Sequence, residues 1–227
     1  MYYWGCELSL RSPYVVLSRS MVKIELSTET TGMEIKKQDV KDKIVSLFGV
    51  IESNTVESVI KDITRIYLAD DAYRHDVELM AAENGLKVVN LQLEPIQFHL
   101  CTVGGSCYEG LALHDAIATS HTPIEVICQG RVMSMGVIVA LASNVRKAYT
   151  NTTFMIHQAS GLLFGYMKDM QESLEEIRRM NDIMFGIITQ KTSIKKETLI
   201  ELIEHKRDWF LTAKEALDLG LITEIIN

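Results

Sequence analysis

The sequence predicts an α/β domain, and three observations carry that prediction. Short apolar runs with strand alternation are separated by stretches of helical periodicity, in the order strand, helix, strand, helix, strand; such an order implies right-handed crossovers. A length of 227 residues with 47% hydrophobic content is enough to bury a core without disulfide or metal staples. Past residue 165 the alternation gives way to one long helical stretch with a heptad-like seam, which predicts a helix projecting from the domain.

Residues 1–35 carry little pattern and read as a tail, partly disordered or used in contacts between subunits, ahead of a domain over 36–227. They lack a basic segment followed by an apolar one, so no signal peptide is expected. Residues 44–48 read as a short strand ending at Gly49. Val56, Val59, Ile60, Ile63 and Ile66 recur at helical spacing, with Ser53 and Asn54 available to cap the start. Residues 70–90 are polar, with a helical stretch and a turn at Asn84-Gly85. Residues 95–100 alternate as a strand that stops at Val103-Gly104-Gly105.

Residues 108–120 form an amphipathic pattern, and 123–128 read as a strand interrupted at Gly130. Residues 135–143 are apolar all round, which predicts a buried helix. Short strands are expected at 147–149 and 153–157. The long helix spans 166–189, with its seam at Met167, Met170, Leu174, Ile177, Asn181, Met184 and Ile188. A helix over 196–205, a second over 212–219 capped at Gly220, and a final short strand complete the chain.

Composition excludes several function classes. A net charge of −7 argues against a general nucleic-acid binder, which needs a basic face. No apolar run reaches the ~18–20 residues that a membrane helix requires. Cys6, Cys101, Cys107 and Cys128 form no CxxC pair, and no HExxH or zinc spacing occurs. Four reduced thiols in a reducing cytosol, with no metal and no cofactor, are the expectation. GxGxxG and Walker A patterns are absent, which argues against nucleotides.

Four positions carry candidate chemistry. Ser134 lies between a strand and a buried helix, where free N–H groups stabilise negative charge; Val132 rules out a GxSxG elbow. His157 ends an apolar strand. Asp208 precedes two aromatics, where a carboxylate could be buried and orient an imidazole. Gly104-Gly105 follows a strand and precedes a helix, so a backbone N–H can turn outward there. Each has an ordinary structural reading when taken alone: a helix cap, a structural histidine, an ion pair with Arg207, a plain turn.

Taken together and in this order, these signals resemble the ClpP family, the proteolytic subunits of Clp proteases. The residues that carry the resemblance are VGG (103–105), GRVMSMG (130–136), FMIHQ (154–158) and RDWFLTAKEALDLGLITEII (207–226), within a similarity covering about 44–227. The resemblance implies the ClpP/crotonase fold, a spiral of β-β-α units with a handle helix within about 158–192. It implies Ser134 as nucleophile, His157 as general base and Asp208 as the residue orienting the imidazole. The N–H groups of Gly105 and Met135 would form the oxyanion hole. Residues 158–165 would be a strand beside the substrate, leading into the handle. The implied protein is a serine endopeptidase acting on unfolded proteins or peptides inside a homo-oligomer, a heptameric ring or stacked tetradecamer in the cytoplasm. Its partner would be a Clp-type AAA+ ATPase, with no nucleic acid and no membrane involved.

The chain also departs from the family. Thr102-Val103-Gly104-Gly105 stands where the family has Ser-Pro-Gly-Gly, which loosens a turn but keeps both glycines. Residues 70–94 are longer than in typical members. Gln97 and His99 replace outward aromatics, which counts against standard ATPase docking. These departures imply a divergent member, of a kind that a phage or mobile element could encode. Three alternatives stand beside the peptidase reading: a non-catalytic ring subunit, an ATPase-independent viral or phage maturation protease, and a crotonase-type acyl-CoA enzyme. The last does not explain a complete Ser-His-Asp set.

Overall fold

A computed structural model describes residues 14–16, 22–27, 43–83, 85, 87–161, 164–205 and 208–227. The elements are β1 (Tyr14–Val16), β2 (Val22–Ser27), β3 (Ile44–Ile51), α1 (Ser53–Glu83), β4 (Lys87–Leu93), β5 (Ile96–Gly105), α2 (Cys107–Ala118) and β6 (Ile124–Met133). There follow α3 (Met135–Ala140), β7 (Val145–Tyr149), β8 (Thr153–Ile156), α4 (Met167–Lys191), α5 (Lys196–His205), β9 (Trp209–Thr212), α6 (Ala213–Asp218) and β10 (Glu224–Ile226). They divide into two compact units. One holds the described residues up to Lys43 with Thr64–Ile96 and His121–Pro123; the other holds Ile44–Ile63, Gln97–Ser120 and Ile124–Asn227.

The second unit contains a sheet in the order β10-β7-β6-β5-β3, with β8 paired to both β6 and β9. The pairs β3–β5, β6–β7, β6–β8 and β7–β10 are parallel, and β8–β9 is antiparallel. Stepwise strand order with helices between neighbours is the outcome expected of right-handed crossovers. In β5, Ile96, Phe98, Leu100 and Thr102 point inward while Gln97 and Val103 face out, the period-two pattern of a strand with one buried face. Every residue of α3 is buried, as its unbroken apolar sequence demands. Phe98 and Phe154 are the largest fully buried side chains of this core, each worth about 1.5–3 kcal/mol of burial.

The first unit holds the C-terminal part of α1 and a three-stranded antiparallel sheet, β1-β2-β4. Both β1 and β2 come from the segment read as a tail. The remainder of residues 1–35 lies outside the described residues. Here Asp70, fully buried, accepts from Lys43 Nζ at 2.7 Å and from Thr122 Oγ1 at 2.5 Å. Lys43 Nζ also donates to the Glu94 carbonyl at 3.0 Å, so the buried charge is both paired and hydrogen-bonded, as it must be.

Several boundaries differ from expectation. The helical spacing at 56–66 and the helical stretch within 70–90 form one helix, α1, unbroken to Glu83, and β4 is an additional strand over residues read as polar, although Val89, Leu91 and Leu93 alternate with Asn90 and Gln92. Strand β3 continues past Gly49 to Ile51, held by its pairing with β5. Strand β6 passes through Gly130, whose φ of +64° suits glycine. Before that bend β6 pairs with β7, and after it with β8. Ser53 does not cap α1. Its hydroxyl donates to Glu109 Oε1 at 2.9 Å, while Thr55 Oγ1 accepts the Glu52 N–H at 3.1 Å. Gly220, φ +79°, lies one residue beyond the cap Leu219 of α6, the usual glycine position after a helix.

Candidate active site

Strand register brings three side chains to one end of the sheet. Met133, the last residue of β6, stands opposite Met155 of β8, so Ser134 and His157 each leave a strand end side by side. Ile156 of β8 stands opposite Trp209 of β9, so His157 and Asp208 flank the last antiparallel pair. The result is direct: His157 Nε2 lies 2.7 Å from Ser134 Oγ, and His157 Nδ1 lies 3.5 Å from Asp208 Oδ1. The serine–histidine leg is a closed hydrogen bond. The histidine–aspartate leg is a looser ion contact. Asp208 is not buried, as its setting before two aromatics suggested; 53% of its side chain is exposed, against 29% for His157.

Ser134 is at the N-terminal edge of α3, yet its side chain caps nothing. Its φ of +54° is the one left-handed non-glycine conformation among the described residues, with ψ −123°. A serine held there costs about 1–3 kcal/mol and persists only when its surroundings over-determine it. They do so here. The Ser134 N–H donates to the Met155 carbonyl at 2.7 Å. An added Cβ on Gly104 would stand 2.7 Å from Ser134 Cβ and 2.9 Å from the Met133 carbonyl oxygen. One on Gly110 would overlap the Met135 side chain, and one on Gly136 would overlap Thr102 Cγ2. Three glycines thus let the backbone of β5, α2 and α3 close on the strained turn.

Gly104 and Gly105 lie at the end of β5 with φ +95° and +153°. A Cβ on Gly105 would overlap the backbone of Ile51. Gly104 stands against the Ser134 turn, and Met135 opens α3, whose first N–H groups have no partner within the helix. Cys107, two residues beyond Gly105, has its thiol pushed up by burial, and buried Cys128 is pushed up to about 12 by the same cause. Neither is a ready thiolate nucleophile. Cys101, Cys107 and Cys128 are all free.

The strand expected over 158–165 is not formed among its described residues. An isolated strand has no lateral partner to satisfy its backbone, and this segment finds one on a helix instead. The Ala159 N–H donates to Oδ1 of Asn181 in α4 at 2.7 Å, and Gly161 packs on Ile177. The sequence places Asn181 in the apolar seam and gives Thr102 no task. The signal for Asn181 is a lone amide among apolar positions. Gln97 is exposed and His99 half-buried on β5.

The N-terminal half of α4 is bare, with Met167 82% and neighbouring Tyr166 85% exposed, whereas Met180, Asn181, Met184, Phe185 and Ile188 are buried. At ~1.5 Å per residue the helix is about 37 Å long. No described helix is long and apolar enough to cross a membrane.

Known proteins resemble this chain along most of its length. It is similar to the ATP-dependent Clp protease proteolytic subunit of Deinococcus radiodurans, 28% identical with 88% of this chain and 90% of that protein covered. It is 27% identical to the protein of the same description from Borreliella afzelii, covering 85% and 87%. Among solved structures it is similar to a point mutant of ClpP1 from Listeria monocytogenes, at 25% identity and a TM-score of 0.63, over 82% of this chain and 91% of that one. The fold is that of ClpP. The family model described as Clp protease matches residues 53–227, and the chain therefore belongs to the Clp protease family.

Proposed function

We propose that this protein is a serine endopeptidase that hydrolyses peptide bonds of unfolded proteins or peptides within a self-compartmentalised oligomer. The observation that carries the reading is the 2.7 Å bond between His157 Nε2 and Ser134 Oγ, on a turn that holds Ser134 at φ +54°. His157 takes the Ser134 proton as Oγ attacks the scissile carbonyl. The N–H groups of Gly105 and Met135 receive the oxyanion; such donors are worth about 10²–10³ each in rate. The imidazolium then protonates the leaving amine, and water, deprotonated by His157, releases the acyl group. Asp208 steadies the imidazolium. Its 3.5 Å separation fits the loose geometry common before substrate binds.

The bare N-terminal half of α4 and the residues just before it, with Phe164, Tyr166 and Met167 exposed at 79%, 85% and 82%, support packing against another copy in a ring assembly, heptameric or stacked. Free Cys101, Cys107 and Cys128 support a reducing cytoplasm. A Clp-type AAA+ ATPase is the partner that the relatives' descriptions suggest. The exposed polar Gln97 on β5 favours an altered docking surface or ATPase-independent cleavage as the second reading.

The test is hydrolysis of fluorogenic peptides and of an unfolded protein by the assembled full-length chain. Ser134→Ala should lower the rate by about 10⁴-fold or more and leave the oligomer intact. Cleavage at the wild-type rate by that variant would refute the assignment.

A further inference from the structure

We propose that Thr102 is the positioning residue of the oxyanion hole, its buried hydroxyl aiming the Gly104–Gly105 peptide toward Ser134. The inference rests on the peptidase reading and adds what orients one of its two donors.

The register of β3 against β5 supplies the first argument. Gly49 stands opposite Thr102, but the next residue, Val50, stands opposite Gly104. Val103 is therefore an extra residue, a bulge at the end of β5. Bulges beside sites re-aim the residues that come after them. Val103 does nothing to lock this one, since it lacks the fixed φ of a proline, and its side chain is 39% exposed.

Thr102 closes the bulge from inside. It is fully buried, and its Oγ1 accepts the Gly104 N–H at 3.0 Å across the extra residue. The same oxygen lies 3.5 Å from the Gly104 carbonyl oxygen. A threonine hydroxyl closing on the N–H two residues on is a local turn device. Its consequence comes from peptide planarity. The Gly104 carbonyl and the Gly105 N–H belong to one trans peptide and point in opposite directions. Holding that carbonyl near Thr102 turns the Gly105 N–H away from Thr102.

The second branch of the side chain reaches α3. A Cβ on Gly136 would overlap Thr102 Cγ2, so this methyl packs directly against the first turn of the helix that Met135 opens. One stiff, β-branched residue thus touches the neighbour of each proposed donor, Gly104 beside Gly105 and Gly136 beside Met135. The hydroxyl addresses the Gly104–Gly105 turn, and the methyl addresses α3.

Thr102→Val keeps the methyl and removes the hydroxyl; Thr102→Ser does the reverse. The readouts are kcat and KM on a short fluorogenic peptide, and Ki for a peptide boronic acid, whose tetrahedral adduct fills the oxyanion hole. Melting temperature and oligomer mass are recorded alongside. Thr102→Val should lower kcat about 10–100-fold, less than outright removal of a donor, with KM within about twofold and boronate Ki raised by a similar factor. Thr102→Ser should restore most of the rate. An unchanged kcat in Thr102→Val would overturn the proposal, as would an equal loss in Thr102→Ser, which would assign the effect to packing on Gly136. If Thr102→Val does not fold, Thr102→Ala against Thr102→Ser gives the same comparison, and equal rates in that pair overturn it. Wild-type protein that neither turns over peptide nor binds boronate would remove the peptidase reading and this proposal together.

Discussion

Ser134 sits in a conformation that serine avoids, and the cost is borne for what its hydroxyl can then reach. Removing the side chain relieves the strain, because glycine tolerates φ near +54°. Ser134→Gly should therefore raise the melting temperature by about 2–4 °C, the shift expected for ~1 kcal/mol at this size, while abolishing peptide hydrolysis. Calorimetry checks the first part; a lowered melting temperature would mean that the turn is not strained. At this scale Ser134, His157 and Asp208 stood out only jointly, through the ordered motifs that carry the family resemblance, since each alone has an ordinary structural reading. Thr102 was not legible. Its task depends on which residue of β3 stands opposite it, and register is a property of two distant segments.

Among the elements, α4 joins an exposed N-terminal half to the neighbourhood of His157. Its heptad-like spacing was visible in the sequence, but the seam is used in two ways. The C-terminal half packs within its own unit, and the N-terminal half is bare. Periodicity reports that a helix has an apolar face, not what covers it. On the exposed side, Arg179 and Tyr108 bond Glu176 at 2.7 and 2.6 Å, linking α4 to α2, and hold that carboxyl down to about 2. Charged residues at 70–76 interrupt the apolar spacing of α1, where a buried ion pair anchors the helix. Lys43→Met would remove the Lys43 ammonium from buried Asp70, and should cost about 3–5 kcal/mol. The double change Lys43→Met, Asp70→Leu should recover much of that loss. Denaturant titration of the three proteins decides it; a single variant as stable as wild type would show that the pair does not hold α1.

For the molecule as a whole, the order of chemistry along the chain is set by topology. Strands β5, β6 and β8 all end at the edge where β9 begins. Four segments far apart in sequence thereby deliver a glycine pair, a serine, a histidine and a carboxylate to one place. The alternation of strands and helices made the α/β class legible, and the four motifs made the spiral legible. Strands β1, β2 and β4 were missed although β2 alternates Val22, Ile24 and Leu26 with Lys23, Glu25 and Ser27; runs this short become strands only through pairing with one another. Under the proposed function these groups already activate Ser134 in the protein as it stands.

That activation can be read from intact mass after exposure to a fluorophosphonate, beside a Ser134→Ala control. One adduct per chain is expected on the wild-type protein and none on the variant. A wild-type chain that stays unmodified, or an adduct that persists in Ser134→Ala, would contradict an activated Ser134.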